Sequence, residues 1–321
     1  MRDVFSLVVD DIRQEAEDVK SFYLRNNASA PLPDVDPGAH VELILPDGRL
    51  RSYSLSNMPD HRGLYRLTVA RDRGGSGGSI YMHDKVRVGD VVQASSQVNN
   101  FKLNVDAPSS LFIAGGIGIT PFVPMIASLN ELRRPWRLIY SARTRHRAAL
   151  LNDLSQLEAA GVGQVELNFN EEPGGVLLNI AKIITELQPE QHVYCCGPEP
   201  MLDSFRSEVS AKGIADSRVH YEYFKGNVDA ATDGNFDVLC SRSNLTVHVK
   251  AGQTILNALT SAGIDIPFAC SEGICGSCKT KVIEGIPDHR DLILSSTERN
   301  KNNVMYVCCS GSRSQRLVLD C

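Results

Sequence analysis

The stretch CSEGICGSCKT, residues 270–280, sets three cysteines inside nine residues, and two more, Cys308 and Cys309, stand side by side further along the chain. Thiols this closely spaced are either crosslinked or share a metal, which limits the fold around them more than any hydrophobic pattern does. The first residues, MRDVFSLVVDDIRQE, alternate apolar and polar side chains and reach acids at once. A secretory signal needs an unbroken apolar stretch and a small-residue cleavage site instead. No run of about 18 apolar residues occurs, so no membrane span is expected. A cytoplasmic location is therefore expected, and cytosolic thiols stay reduced. Metal binding is the leading explanation of the cysteines.

The spacing is C-x4-C-x2-C at Cys270, Cys275 and Cys278, then 29 residues, then Cys308. Structural zinc usually takes C-x2-C pairs from two knuckles. C-x4-C-x2-C with a distant fourth cysteine is instead the plant-type [2Fe–2S] spacing. Gly273 and Gly276 let the backbone wrap tightly, so that its N–H groups can face the sulfurs. Around this loop, FDVLC (236–240) and LTVHVK (245–250) read as two strands, TILNALTSAG (254–263) as a helix, and LVLD (317–320) as a closing strand. Together they predict an α+β, β-grasp-like ferredoxin domain over 236–321. A zinc-stapled interaction module is the reading from another class, and the two differ in visible absorption.

A one-electron carrier needs an electron source, and at 321 residues the chain has room for two or three domains. LFIAGGIGITP (111–121) is an apolar strand running into a glycine-rich turn, with the helical pattern PFVPMIASLNELRR behind it. Such a turn brings backbone N–H groups to a pyrophosphate or simply connects strand to helix. RLIYSAR (137–143), QVELNF (164–169), HVYCCGP (192–198) and RVHYEYF (218–224) are further strands separated by helical stretches. This alternation predicts an α/β domain with a parallel sheet, and ligands at the carboxyl ends of its strands. Before it, VKSFYLR, HVELILP, LYRLTVAR and DVVQAS are short alternating runs divided by turns, the pattern of an antiparallel barrel or sandwich. RSYSLSN (51–57) and RDRGGSGGS (71–79) lie within it, suited to a phosphate and a flat ring or, more plainly, to a strand and a loop. A net charge of -5 argues against a nucleic-acid partner.

The order of RSYS, GGS, GGIGITP, CCGP and C-x4-C-x2-C…C resembles that of the phthalate dioxygenase reductase family, the flavin and iron–sulfur reductases of Rieske-type aromatic oxygenases and demethylases. The resemblance spans essentially the whole chain. It implies a multidomain protein with an antiparallel β-barrel flavin domain of the ferredoxin-reductase type (1–104), an α/β NAD-binding domain (105–226), a linker (227–235) and the plant-type ferredoxin domain (236–321). By resemblance Arg51, Ser52, Tyr53 and Ser54 bind FMN, with Arg51 on the phosphate, Tyr53 against the ring and Ser54 at its reactive edge, and Gly77, Gly78 and Ser79 complete the phosphate site. Gly115, Gly116, Gly118, Thr120 and Pro121 receive NADH, joined by Arg143 and by Cys196, Gly197 and Pro198, with Cys196 near the nicotinamide. Phe224 covers the flavin until the nicotinamide arrives. Cys270, Cys275, Cys278 and Cys308 hold the cluster.

The sequence departs from this pattern in two places. Ser76 stands where relatives often have arginine, which leaves more of the phosphate charge to Arg51, and Cys309 follows Cys308, which leaves the ligand register open. RTRHR (143–147) either contacts a 2′-phosphate, which would mean NADPH, or is a solvated loop. A nicotinamide gives two electrons at once and a [2Fe–2S] cluster takes one, so FMN would stand between them. The expected activity is an NADH-dependent reductase, a monomer, serving a terminal Rieske-type oxygenase. The alternative is a general ferredoxin-type reductase serving a cytochrome or another monooxygenase.

Overall fold

A computed structural model describes residues 4–28, 30–75, 77–224, 235–268 and 270–321. The chain divides into two compact units, the first ending at Tyr223 and the second running from Phe224 to Cys321.

In the first unit β1 (Val4–Ala16), β2 (Val19–Asn26), β3 (His40–Ile44), β4 (Leu50–Ser54), β5 (Leu64–Ala70) and β6 (Val91–Ser95) form an antiparallel sheet in the order β4-β3-β6-β1-β2-β5. Its two edges meet where Leu55, just past β4, bridges Leu67 of β5, so the sheet curls into the expected barrel. Period-two alternation explains the filling: Leu7, Val9, Phe22, Leu24, Val41, Leu43, Tyr65 and Leu67 point inward and are buried. A single short helix, α1 (Gly78–Asp84), follows the glycine loop.

The same unit carries five parallel strands, β7 (Ser110–Gly115), β8 (Trp136–Ala142), β9 (Gln164–Phe169), β10 (His192–Cys196) and β11 (Val219–Glu222), in the order β11-β10-β7-β8-β9. Helices α2 (Phe122–Glu131), α3 (Leu151–Ala160), α4 (Ile180–Thr185) and α5 (Glu199–Ala211) alternate with them. The strand order reverses after β7, where β8 lies on one side and β10 on the other, and such a crossover opens a crevice at the carboxyl ends of the strands. Barrel and α/β layers are joined by buried polar contacts. Arg66 of β5, 2% exposed, pairs with Asp153 of α3 at 2.6 Å, and the Asn104 N–H donates to the Tyr194 hydroxyl at 2.9 Å. Both layers belong to the one compact unit that ends at Tyr223.

The second unit has β12 (Phe236–Cys240), β13 (Leu245–Val249), β14 (Lys279–Glu284), β15 (Pro287–Asp288), β16 (Val304–Tyr306), β17 (Gly311–Ser312) and β18 (Arg316–Leu319), with α6 (Ile255–Ser261) and α7 (Ser296–Lys301). The main sheet runs β13-β12-β18-β14-β16, with β12 and β18 parallel. This is the β-grasp arrangement expected from the sequence, and α6 starts at Thr254, whose hydroxyl accepts the Asn257 N–H at 3.0 Å. The linker expected at 227–235 lies, except for Asn235, outside the described residues.

Candidate functional site

The barrel brings RSYS and GGS together. Gly78 lies flat against the Arg51 side chain, so close that a Cβ there would come within 2.7 Å of Arg51 Cγ. Gly77 makes this possible: at φ 91° it turns the chain through the left-handed region into α1. Arg49 reaches the same turn, its guanidinium nitrogens 3.8–3.9 Å from where a Gly77 Cβ would stand, and it also pairs with Asp47 at 2.7 Å. The sequence reading missed Arg49; its signal was the i, i+2 spacing that puts it on the same strand face as Arg51. Ser79 is tied to the loop, its hydroxyl accepting the Asp72 N–H at 2.9 Å. Tyr53 packs against the barrel core, and burial pushes its hydroxyl up to about 12. Ser54 is buried and Ser52 exposed. Ser76 lies outside the described residues.

In the α/β layer, two glycine turns touch at the carboxyl ends of β7 and β10. A Cβ on Gly118 would sit 2.2 Å from the Cys196 carbonyl oxygen, and one on Gly197 would sit 3.0 Å from Gly115 Cα. No larger residue lets these backbones approach. Gly116 adds a left-handed φ of 53°, and the Thr120 hydroxyl donates to the Ile117 carbonyl at 3.0 Å, just before Pro121 leads into α2. Beside the turns opens a cleft of about 380 Å³ lined by Gly115, Gly116, Arg143, Leu177, Pro198 and Met201, among others. Leu177, 79% exposed, is an apolar wall that sequence reading did not find.

Cys196 is fully buried, and its thiol is pushed well up by burial first, then by the neighbouring Glu222 carboxyl. Glu222 pairs in register with Cys196; its Oε2 is buried, with no hydrogen-bond partner among the described residues, and burial pushes the group up to about 8. The acid inside the apolar run YEYF was the available signal. Phe224 follows, 37% exposed. Of the three arginines of RTRHR, only Arg143 lines the cleft. Arg145 stacks on Phe169 at 4.9 Å, and Arg147 pairs with Glu17 at 2.9 Å.

In the second unit Cys275, Cys278 and Cys308 are buried and Cys270 is partly exposed. Gly273 and Gly276 take the expected left-handed conformations, φ 73° and 76°. Backbone donors face sulfur: the Glu272 N–H points at Cys270 Sγ at 3.3 Å and the Cys270 N–H at Cys275 Sγ at 3.4 Å. The Cys270 thiol contacts those of Cys275 and Cys308. The Cys309 thiol lies 3.5 Å from the Tyr306 carbonyl, packs on Gly273 of the same loop and neighbours the Cys308 thiol. The Cys270 and Cys275 sulfurs accept these amide N–H groups, which fits thiolates that bind an iron–sulfur group. Among the described residues no three metal-ligating side chains converge on one point, and a two-iron group shares its four ligands between two metals.

Residues 238–311 match the family model for a 2Fe-2S iron-sulfur cluster binding domain, and residues 112–207 match that of an oxidoreductase NAD-binding domain. The chain is 44% identical to phenoxybenzoate dioxygenase subunit beta of Ectopseudomonas oleovorans, over 98% of this chain and 97% of the relative. It superposes on part of an intact type IV self-sufficient cytochrome P450 monooxygenase with a TM-score of 0.87 and 32% identity, covering 99% of this chain but only 41% of that one. The solved phthalate dioxygenase reductase, described as a modular structure for electron transfer from pyridine nucleotides to [2Fe–2S], matches with a TM-score of 0.71 and 33% identity over 99% of this chain and 98% of that one. With its barrel, its parallel nucleotide sheet and its four-cysteine loop, the chain belongs to the phthalate dioxygenase reductase family of oxidoreductases.

Proposed function

We propose that this chain is the reductase component of a two-component Rieske-type oxygenase system, taking a hydride from NADH onto FMN and passing single electrons through a [2Fe–2S] cluster to a separate terminal oxygenase. One observation carries the reading: the same chain holds a glycine-shaped nucleotide cleft, suited to a two-electron donor, and a four-thiol loop, suited to a one-electron centre. A bound flavin supplies the exchange between the two kinds of transfer.

The chain's own residues bind and orient. Arg51, with Arg49 beside it, would hold the flavin phosphate at the Gly77–Gly78 turn, where Ser79 fixes the loop; the second arginine supplies the charge that Ser76 does not. Tyr53 would lie along the ring, with Ser54 at its reactive edge and Ser52 flanking them on the same strand. Its raised pKa keeps the Tyr53 hydroxyl protonated at neutral pH. Gly115, Gly116, Gly118, Thr120 and Pro121 would bring backbone donors to the NADH pyrophosphate, with Gly197 and Pro198 opposite. Leu177 would face the adenosine and Arg143 its outer rim. Cys196 and Glu222 would back the nicotinamide end. Burial keeps both protonated at neutral pH, so neither would carry charge at the nicotinamide end. Phe224 would cover the flavin. Cys270, Cys275, Cys278 and Cys308 would bind the irons, and the N–H donors at Cys270 and Glu272 would stabilise the thiolates. No general acid or base is needed, because the rate depends on holding donor and acceptor in line.

Engagement of only Arg143 at the cleft favours NADH over NADPH. Among the described residues no helix is long and apolar enough to cross a membrane, and we take the protein to be a cytoplasmic monomer with no nucleic-acid partner. The likeness to part of a self-sufficient cytochrome P450 monooxygenase favours a second reading, in which a cytochrome takes the electrons. Purified protein should release FMN on denaturation and should reduce a Rieske oxygenase faster than a P450. Released FAD would overturn the flavin assignment, and preference for the P450 would select the second reading.

A further inference from the structure

Of the nine cysteines, four belong to the cluster loop, and Cys195, Cys196 and Cys309 are shut in the interior. The remaining two form a pair. Cys240 ends β12, fully buried in the core of the second unit, while Cys321 packs on that core from its edge and is partly exposed. Strands β12 and β18 run parallel with Cys240 opposite Leu319. Beyond that pair the strand turns back: the Cys321 N–H donates to the Leu319 carbonyl at 3.1 Å, and the Cys321 carbonyl accepts the Arg242 N–H at 2.9 Å. An Arg242–Asp320 ion pair at 2.7 Å braces the turn from outside. The result packs Cys321 on the core cluster that holds Cys240, at the junction of the first and last strands of the domain.

We propose that Cys240 and Cys321 close into a reversible disulfide, a redox-controlled staple across β12 and β18, when a low-molecular-weight disulfide RSSR is the oxidant. The strand register and the shared core cluster make the two side chains neighbours, and closure brings the sulfurs to about 2.05 Å. Cys321, the exposed partner, reacts first: its thiolate attacks one sulfur of RSSR and releases RS⁻. Cys240 then gives up its proton and attacks Cys321 Sγ, forming the protein S–S bond and expelling the second RS⁻. Two protein thiols and one RSSR become one protein disulfide and two RSH, a two-electron oxidation of the protein that excess thiol reverses. Burial first, then the bond to Cys240, pushes the Cys321 thiol up to about 12. Thiolate is therefore scarce at neutral pH, and closure is slow but quickens about tenfold per pH unit. The crosslink encloses about 80 residues, which restricts the unfolded chain and favours the fold.

The test uses the cluster-loaded protein, incubated with oxidised glutathione at pH 7 and pH 8.5, then quenched in acid, unfolded and alkylated. Alkylatable thiols should fall from nine to seven, faster at the higher pH, with a peptide joining Cys240 to Cys321 and cluster absorption unchanged. The thermal midpoint of the second unit should rise and return with dithiothreitol. Cys321→Ser should keep all of its thiols alkylatable, and it keeps the test open should Cys240→Ser fail to fold. Nine thiols after prolonged incubation, a persistent glutathione adduct on Cys321 without the crosslink, or the same loss of two in Cys321→Ser would each overturn the proposal.

Discussion

Gly118→Ala tests the nucleotide cleft at its tightest point. The added methyl would lie 2.2 Å from the Cys196 carbonyl oxygen and 2.8 Å from the Gly197 nitrogen, both backbone atoms that cannot swing aside. Ordinary contact begins near 3.4 Å, so the β7 and β10 turns must part by about 1 Å. Overpacking of this kind costs about 1–3 kcal/mol. A displacement of about 1 Å at a positioning site costs on the order of a hundredfold in rate. Gly116→Ala is the control: nothing stands within 4 Å of its added Cβ, so it bears only the left-handed backbone penalty of about 1–2 kcal/mol. Denaturant unfolding gives the stability change, and anaerobic stopped-flow bleaching of the flavin by NADH gives the rate. Gly118→Ala should lose ten- to a hundredfold in the NADH-dependent step while its iron–sulfur absorption stays intact. Wild-type stability and NADH kinetics in that variant would refute the claim that the Gly118–Cys196 approach shapes the cleft.

Arg51→Ala should weaken flavin retention by about 1.5–3 kcal/mol, the scale of a charged hydrogen bond, as read by flavin release on dilution; undiminished affinity would remove Arg51 from the site. Cys308→Ser should lose the cluster while Cys309→Ser keeps it, because Cys308 is the residue that fits the family's ligand spacing; iron and sulfide content decides, and the opposite pattern would shift the ligand by one residue. Glu222 titrates near 8 in the fold against about 4.5 unfolded, so the folded protein holds an extra proton between those values, and the stability this contributes at low pH is lost as pH rises toward 8. The slope is up to about 1.4 kcal/mol per pH unit, and Glu222→Gln should flatten it in thermal unfolding scans from pH 5 to 8; an unchanged slope would place the titration elsewhere.

What could be read from the sequence was what local chemistry dictates. The spacing of Cys270, Cys275, Cys278 and Cys308 follows from binding a cluster with a short loop, and Gly273 and Gly276 adopt the left-handed turns that such a loop needs. GGIGITP and CCGP read as turns after strands of a parallel sheet, and the structure adds the mutual approach that only glycine permits. Arg49, Leu177 and Glu222 were less legible. Each acquires its role from a neighbour distant in sequence: Gly77 for Arg49, Pro198 and Met201 across the cleft for Leu177, Cys196 for Glu222. The Arg66–Asp153 pair, which ties barrel to α/β layer, is invisible for the same reason, since nothing local marks an arginine in an apolar strand as a buried interface residue.

The proposed electron flow runs from nucleotide to flavin to cluster to partner. Cys275→Ser protein that retains its fold and flavin, mixed anaerobically with NADH, tests it most directly. Flavin bleaching should proceed at close to the wild-type rate, while turnover of a Rieske oxygenase or of cytochrome c, both of which must dock at the cluster, should fall to background. Wild-type turnover of the large acceptor by this variant would contradict the account.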